Sequence, residues 1–229
     1  MRNLLLSFGL LAAGSAGAQN ATVSVAAPHT FEFGISGGYF NGLSGELAFT
    51  MRNLGMTNLG LRTTVAYTNI DGFKDNAVVA TDPDTNAPIT AGQLFSALGF
   101  PNESNSNVTI GLDGLFHLSY DASTGLGFNG YVGGRYNLFS TTRSGAGGST
   151  TFSSNQFGIG AGLIASYPIA PNVYLTGDVG LDYYLPAPIR QCSSDGTCQT
   201  FNANDAQTRA YINTPSTVVK ARVGLGVRF

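Results

Sequence analysis

Apolar and polar residues alternate along eight stretches of the chain, near Thr30–Phe40, Leu43–Arg52, Leu59–Thr68, Asn107–Tyr120, Gly125–Phe139, Gln156–Tyr167, Val173–Leu185 and Thr217–Phe229. A period of two sends successive side chains to opposite faces, so each stretch predicts a β-strand with one apolar face. Most are close to the length a tilted strand needs to cross a bilayer. Between the strand ends, the pooled apolar face carries no charge, and Thr63 is its one non-aromatic polar side chain. The opposite face holds Glu32, Glu46, Asp113, Asp178 and Asp182 against Arg62, Arg135, Lys220, Arg222 and Arg228. A soluble barrel is sorted the other way, polar outside and apolar within. The pattern therefore predicts an all-β, eight-stranded antiparallel up-and-down transmembrane barrel with a charged interior.

The joints sort into two kinds. Those after the second, fourth and sixth stretches are short (53–58, 121–124 and 168–172), and those after the third, fifth and seventh are long (69–106, 140–155 and 186–216). Outer-membrane barrels make short turns on the periplasmic side and long loops outside, which places both termini in the periplasm. Asn41-Gly42 departs from this: it reads as a two-residue hairpin turn where an outer loop is expected, so one side of the rim should be low. Aromatics give an independent check, because tyrosine prefers the membrane–water interface. By parity, Tyr39, Tyr67, Tyr136 and Tyr183 fall at outer ends of the apolar face, and Tyr120, Tyr167 and Phe229 at inner ends.

The compartment follows from residues 1–18, read as a secretory signal: basic Arg2, an apolar run from Leu4 to Ala13 and a small-residue cleavage site at Ala16-Gly17-Ala18. That run is too short for a spanning helix, which needs roughly twenty apolar residues. Residues 19–229 then form a single barrel domain in the outer membrane of a diderm bacterium. Charged residues make up only 10% of the chain, and the formal net charge of −2 argues against a nucleic-acid partner. Cys192 and Cys198 flank a segment with the turn dipeptide Asp195-Gly196, which predicts a disulfide that stabilises by roughly 2 kcal/mol. Metal binding is the weaker alternative, since structural zinc wants four ligands and only His29 and His117 could add to the two cysteines. No cofactor is expected.

The last strand, Val219 to Phe229, has apolar residues at every second position and ends in a carboxy-terminal Phe. It resembles the terminal signature of outer-membrane barrels, and the whole arrangement is similar to the small eight-stranded family typified by OmpX and the transmembrane domain of OmpA. The resemblance implies that the barrel-assembly machinery reads Phe229 as a sorting residue. It covers nearly the entire mature chain and transfers fold and location rather than function.

An eight-stranded barrel is just wide enough to be filled by its own side chains, so the interior charges are expected to pair and close the lumen. Matched heights suggest Asp182 with Lys220 and Asp113 with Arg135. Gly158, Gly160 and Gly162 alternate within one strand and make room for Tyr131, Tyr174 or an arginine to lie across the lumen. His117-Leu118-Ser119 resembles the His-x-Ser pair of barrel lipid A deacylases, but both residues have inward parity and no outward-facing acid accompanies them, so no catalytic residue is assigned. His117 is instead expected near Asp113 or Arg62. Asp82-x-Asp84-x-Asn86 begins like a calcium loop but has Ala87 and Gln93 where Gly and Glu belong, so no metal site is expected there. Further on, Thr90-x-x-Gln93 predicts a capping box on a short helix with Leu94, Phe95 and Leu98 on one side, to cover the mouth or a partner. The leading reading is a non-enzymatic outer-membrane barrel with a plugged polar interior. It would contribute envelope integrity or surface recognition through its loops, with a place in a larger envelope complex as an extension. The alternative is a narrow channel or uptake pore for small or apolar molecules. Expected partners are outer-membrane lipid, the barrel-assembly machinery and other envelope proteins.

Overall fold

The structure, a computed structural model, describes residues 31–52, 54 and 59–229; the signal segment read at 1–18 lies outside the described residues. In chain order the elements are β1 (Phe31–Phe40), β2 (Leu43–Met51), β3 (Leu59–Asn69), β4 (Val78–Thr81), β5 (Pro88–Thr90), α1 (Ala91–Ala97), β6 (Asn102–Asp121), β7 (Leu126–Gly145), β8 (Gly148–Ala170), β9 (Val173–Tyr184), β10 (Ile189–Ser193), β11 (Cys198–Phe201), α2 (Ala206–Tyr211) and β12 (Thr217–Arg228). Eight of these strands, β1, β2, β3, β6, β7, β8, β9 and β12, each pair antiparallel with the next. β12 then pairs with β1 from Glu32↔Arg228 to Phe40↔Lys220, which closes the ring. The eight-stranded barrel read from the alternation is the observed fold.

Burial follows the period of two. On β3, Leu61, Val65 and Tyr67 are exposed on the outer face while Arg62, Thr64, Ala66 and Thr68 are buried inside. Thr63, the polar exception on the outer face, turns its hydroxyl to the backbone oxygen of Phe49. Such a wall is stable only if its exposed apolar belt meets lipid, since no backbone group between the paired strands is left for water.

Three strands run far beyond the belt. The segment 140–155, expected as a long loop, is paired strand on both sides of a turn, with β7 and β8 in continuous register out to Gly145↔Gly148. Alternation continues there, but its outward positions are Ser140, Thr142, Thr151 and Ser153 rather than apolar residues, so a hydrophobicity criterion stops at Phe139. On the opposite side the β1–β2 hairpin turns at Asn41-Gly42, with Asn41 at φ 54°, in the left-handed region that asparagine tolerates. The barrel is thus tall at β6–β8 and low at β1–β2.

A register shift between His117 and Ser119 changes one expectation about the belt. Ser119 pairs with outward Phe128, and Tyr120 pairs with inward Gly127. The inserted residue moves Tyr120 out of the aromatic girdle and over the turn-end mouth of the lumen. Tyr39, Tyr67, Tyr167, Tyr183 and Phe229 remain on the exposed outer face, and Tyr136 packs against Phe157 with ring centroids 4.9 Å apart.

The long joints fold over the tall side of the barrel. Residues 69–101 contribute the β4–β5 hairpin and α1, whose capping box is present as read: Thr90 accepts from Gln93 N, and the Gln93 side chain accepts from Thr90 N. Of the three apolar residues expected to act together on α1, only Phe95 packs inward, while Leu94 and Leu98 are exposed. Residues 186–216 contribute α2 and the β10–β11 hairpin, which β10 attaches to the edge of β8 through Arg190↔Ser153 and Cys192↔Thr151. Cys192 and Cys198 form the predicted disulfide between directly opposed positions of that hairpin.

Candidate functional site: a charged lumen under an apolar roof

The lumen is filled in tiers, built from inward positions that the alternation supplies on every strand. At the turn end, Glu32 accepts from two arginines, Arg52 at 2.8 Å and Arg228 at 2.7 Å. Arg228 also donates to Ser166 and lies over the ring of Tyr174. Beside this tier is a vestibule of about 260 Å³ lined by Arg52, His117, Tyr120, Asn129, Ser166 and Arg228, among others. Inward of it, the free space bordered by Glu32, Arg52, Arg62, Asp178 and Arg222 shrinks to about 30 Å³, the scale of a single water.

The middle tier pairs four acids with four bases. Arg62 donates to Glu46 at 2.6 Å and to Asp178 at 3.3 Å, and Arg222 pairs with the other Glu46 oxygen. Lys220 approaches Asp178 at 3.5 Å, and Arg135 bridges Asp113 at 2.5 Å and Asp182 at 3.1 Å. Tyr131 is the centre of this tier. Its hydroxyl donates to Asp178 at 3.0 Å, and Arg62, Arg135 and Lys220 all lie within 6 Å of its ring centroid. The ring crosses the lumen because Gly162 and Gly180 give it room: a Cβ on either would stand 2.3 or 2.2 Å from the phenol oxygen. Taking so many charges out of water costs several kcal/mol per ion unless each is paired; all eight are paired, while Asp113 Oδ2, Arg135 Nη2 and Arg222 Nε have no hydrogen-bond partner among the described residues.

Above the charges the lining becomes neutral and then apolar. Thr109 donates to Asn137 at 2.9 Å, Gln156 donates to the Pro215 backbone at 3.0 Å, and Phe40, Tyr184 and Val218 form a buried cluster. A second apolar cluster roofs the mouth: Ile70, Phe73, Phe139, Phe152, Ile189 and Ile212, with Phe95 of α1 and Tyr211 of α2 packed against it. Burial pushes the Tyr211 phenol above its ordinary pKa. Arg143 of β7 fastens this roof, stacking on Phe73 at 4.6 Å and pairing with Glu103 at 2.8 Å and with Asp75.

All ten interior residues expected from the sequence face inward, and each takes part in an ion pair. One expected partnership differs. Lys220 sits opposite Gly180 and pairs with Asp178, two residues before Gly180 on β9, while Asp182 is taken by Arg135. Tilt of the strands shifts contacts across the lumen by about one rung, which a height count along the chain does not capture. Arg135 does pair with Asp113, and the inward glycines of β8 do admit Tyr131 and Arg135. His117 is exposed at the vestibule, with Nδ1 3.4 Å from Asn129 Oδ1, rather than beside Asp113 or Arg62. Asp82 caps a hairpin turn by accepting from the amides of Asp84 and Thr85, which hold its carboxyl below the usual pKa. Sequence reasoning missed Arg52, Asp75, Glu103 and Arg143. The signal for Arg143 was its even-numbered spacing from Arg135 along β7, which keeps both on the inner face but is visible only once the strand is known to continue.

Among the described residues, no group of three metal-ligating side chains converges and no helix is long and apolar enough to cross a membrane. No family model and no curated protein matches the sequence. Among solved structures, a major outer membrane protein from Thermus thermophilus superposes with a TM-score of 0.73 at 29% identity, over 87% of this chain and 98% of that one. Neisserial surface protein A, at TM-score 0.41 and 12% identity, covers 87% of this chain and 94% of its own; the attachment invasion locus protein Ail of Yersinia pestis, at 0.41 and 14%, covers 87% and 95%. This chain has the fold of the small eight-stranded outer-membrane β-barrels.

Proposed function

We propose that the protein is a non-enzymatic, non-conducting barrel of a diderm outer membrane, with its termini in the periplasm and its roof and tall wall outside. Its work is done by that outer surface, which supports envelope integrity and surface recognition, also as a subunit of a larger envelope complex. One observation carries this reading: a lumen filled with ion pairs lies beneath a second, separate closure, the apolar roof fastened by Arg143. A transport path would need a continuous wet route, and two unlike seals in series oppose it. The absence of catalysis is supported by the placement of His117 against Asn129 rather than against a carboxylate. Phe229, paired through its backbone with Phe31, is available at the outer face of the last strand for the assembly machinery.

Conductance across planar bilayers containing the refolded protein tests the central claim. No steps above the bare-membrane baseline are expected. Steady single-channel steps would replace this reading by the narrow uptake pore. Proteins that co-purify after mild detergent extraction would identify envelope partners.

A further inference from the structure

Beyond the belt, the outer face of β6, β7 and β8 changes character within one rung. It is apolar up to Val108, Leu138 and Phe157. On β8 the change begins one rung earlier, at Asn155 beside Leu138, and the outward rungs that follow, aligned by strand register, are Ser106–Ser140–Ser153, Ser104–Thr142–Thr151 and Asn102–Ser144–Ser149. Every one of these side chains is an uncharged hydroxyl or amide, and the Thr142 and Thr151 hydroxyls are 2.9 Å apart. The roof packs on the other side of the same strands, through Phe139, Phe152 and Arg143, so the roof does not require this composition.

Charge and height together indicate what the face meets. Arg52, Arg62, Arg135, Lys220, Arg222 and Arg228 are committed to interior ion pairs, and Arg143 to Asp75 and Glu103 at the roof. Lys74 and Arg209 belong to the roof, where Lys74 donates to the Arg209 backbone. Among the described residues, the cation left on this face is Arg190, one strand beyond the rungs. Solvated surfaces are usually about a quarter to a third charged, and phosphorylated headgroups attract Lys and Arg to their level. The three rungs carry neither signature, and charge on this face is confined to the exposed Arg190 beside Ser153. Successive outward residues lie about 7 Å apart along a strand, or about 5 Å along the membrane normal at the usual tilt, so three rungs climb roughly 15 Å. A phospholipid headgroup layer of about 5 to 8 Å covers the first rung alone. Longer, uncharged headgroups made of sugars match the remaining height, and their hydroxyls match the side chains.

We infer that this wall docks the uncharged, hydroxyl-rich headgroups of a glycolipid in the leaflet at the loop end. The inference rests on the belt being transmembrane, and it is independent of the proposed orientation and of whether the lumen conducts. The chain contains no Trp, so Leu138→Trp beneath the wall and Leu43→Trp at the low rim each provide a single fluorescent reporter. Refolded variants, verified by far-UV circular dichroism, are placed in phosphatidylcholine bilayers. Each bilayer contains one bromine-labelled lipid: a diglycosyl diacylglycerol, phosphatidylglycerol or lipid A. Quenching at Leu138→Trp should select the glycolipid over phosphatidylglycerol about threefold, the equivalent of one net hydrogen bond, with no selection at Leu43→Trp. Ser140→Lys with Thr142→Lys should reverse the preference toward the anionic lipids. If the lysine pair does not fold, Ser140→Ala with Thr142→Ala should bring the selectivity to one. Equal quenching by all three lipids, preference for lipid A at Leu138→Trp, or the same preference at both reporters overturns the inference.

Discussion

Replacing Asp178 by Ala withdraws one carboxylate from three donors at once: Arg62 at 3.3 Å, Lys220 at 3.5 Å and the Tyr131 hydroxyl at 3.0 Å. Arg62 keeps Glu46, but Asp178 is the ion-pair partner of Lys220. At 3.5 Å and an effective dielectric of about 20, the Lys220–Asp178 attraction is about 5 kcal/mol before desolvation is subtracted. Losing one member of such a buried pair should destabilise the barrel by about 3 to 5 kcal/mol. Lys220→Ala alone should cost less, about 1 to 3 kcal/mol, because Asp178 retains Arg62 and Tyr131. The double variant should recover about 1 to 3 kcal/mol relative to the sum. A parallel cycle with Asp182, which belongs to Arg135, should show coupling to Lys220 of only about 0.5 kcal/mol. Reversible urea unfolding in lipid vesicles, followed by far-UV circular dichroism, measures all the corners. Coupling of Lys220 to Asp182 that equals or exceeds its coupling to Asp178 would refute the assignment of partners.

Three further outcomes are expected. Gly162→Ala, whose Cβ would meet the Tyr131 hydroxyl at 2.3 Å, should lower stability by about 1 to 3 kcal/mol, while Gly134→Ala, with nothing within 4 Å, should be nearly neutral in the same unfolding assay. Arg143→Ala should loosen the roof, seen as faster proteolytic cleavage within residues 71–101, without opening conductance through the ion-paired tiers below; an unchanged cleavage rate would mean that Arg143 fastens nothing. Deleting Phe229 removes a backbone pair with Phe31 and one girdle aromatic, a loss of about 1 to 3 kcal/mol, yet surface levels in cells should fall further than that; wild-type levels would exclude Phe229 as a sorting residue.

Much of the fold was legible because lipid enforces a simple rule, that outward positions in the belt be apolar, and that rule writes a period of two into the chain. It also made the ten interior charges legible as a set. It did not reveal partners, because Lys220 reaches Asp178 rather than Asp182 through strand tilt, a property of the closed ring rather than of either strand. Beyond the belt the rule lapses: Ser140 to Ser153 alternates between roof and open surface with little hydrophobic contrast, so a sheet was read as a loop. Tyr120 was misplaced by a single inserted residue at Leu118, since every parity after a bulge is inverted. The helix cap at Thr90 was legible because Thr and Gln at that spacing satisfy each other's backbone locally, with no help from tertiary context. The roof cluster was not, because Ile70, Ile189 and Ile212 come from separate parts of the long joints and meet only in the folded chain.

The β1–β12 seam also sets an order in time. Arg228 donates to Glu32 across 196 residues of sequence, and the backbones of Phe31 and Phe229 pair at the same seam. The ring cannot close until β12 meets β1, so every partly paired arrangement before that leaves β1 with an unpaired edge. Contacts of such long range are slow to form, and Arg228 can join Arg52 on Glu32 only after β12 arrives. An open barrel must therefore be kept apart from other open edges until β12 is in place, and closure of the ring is the step that commits it.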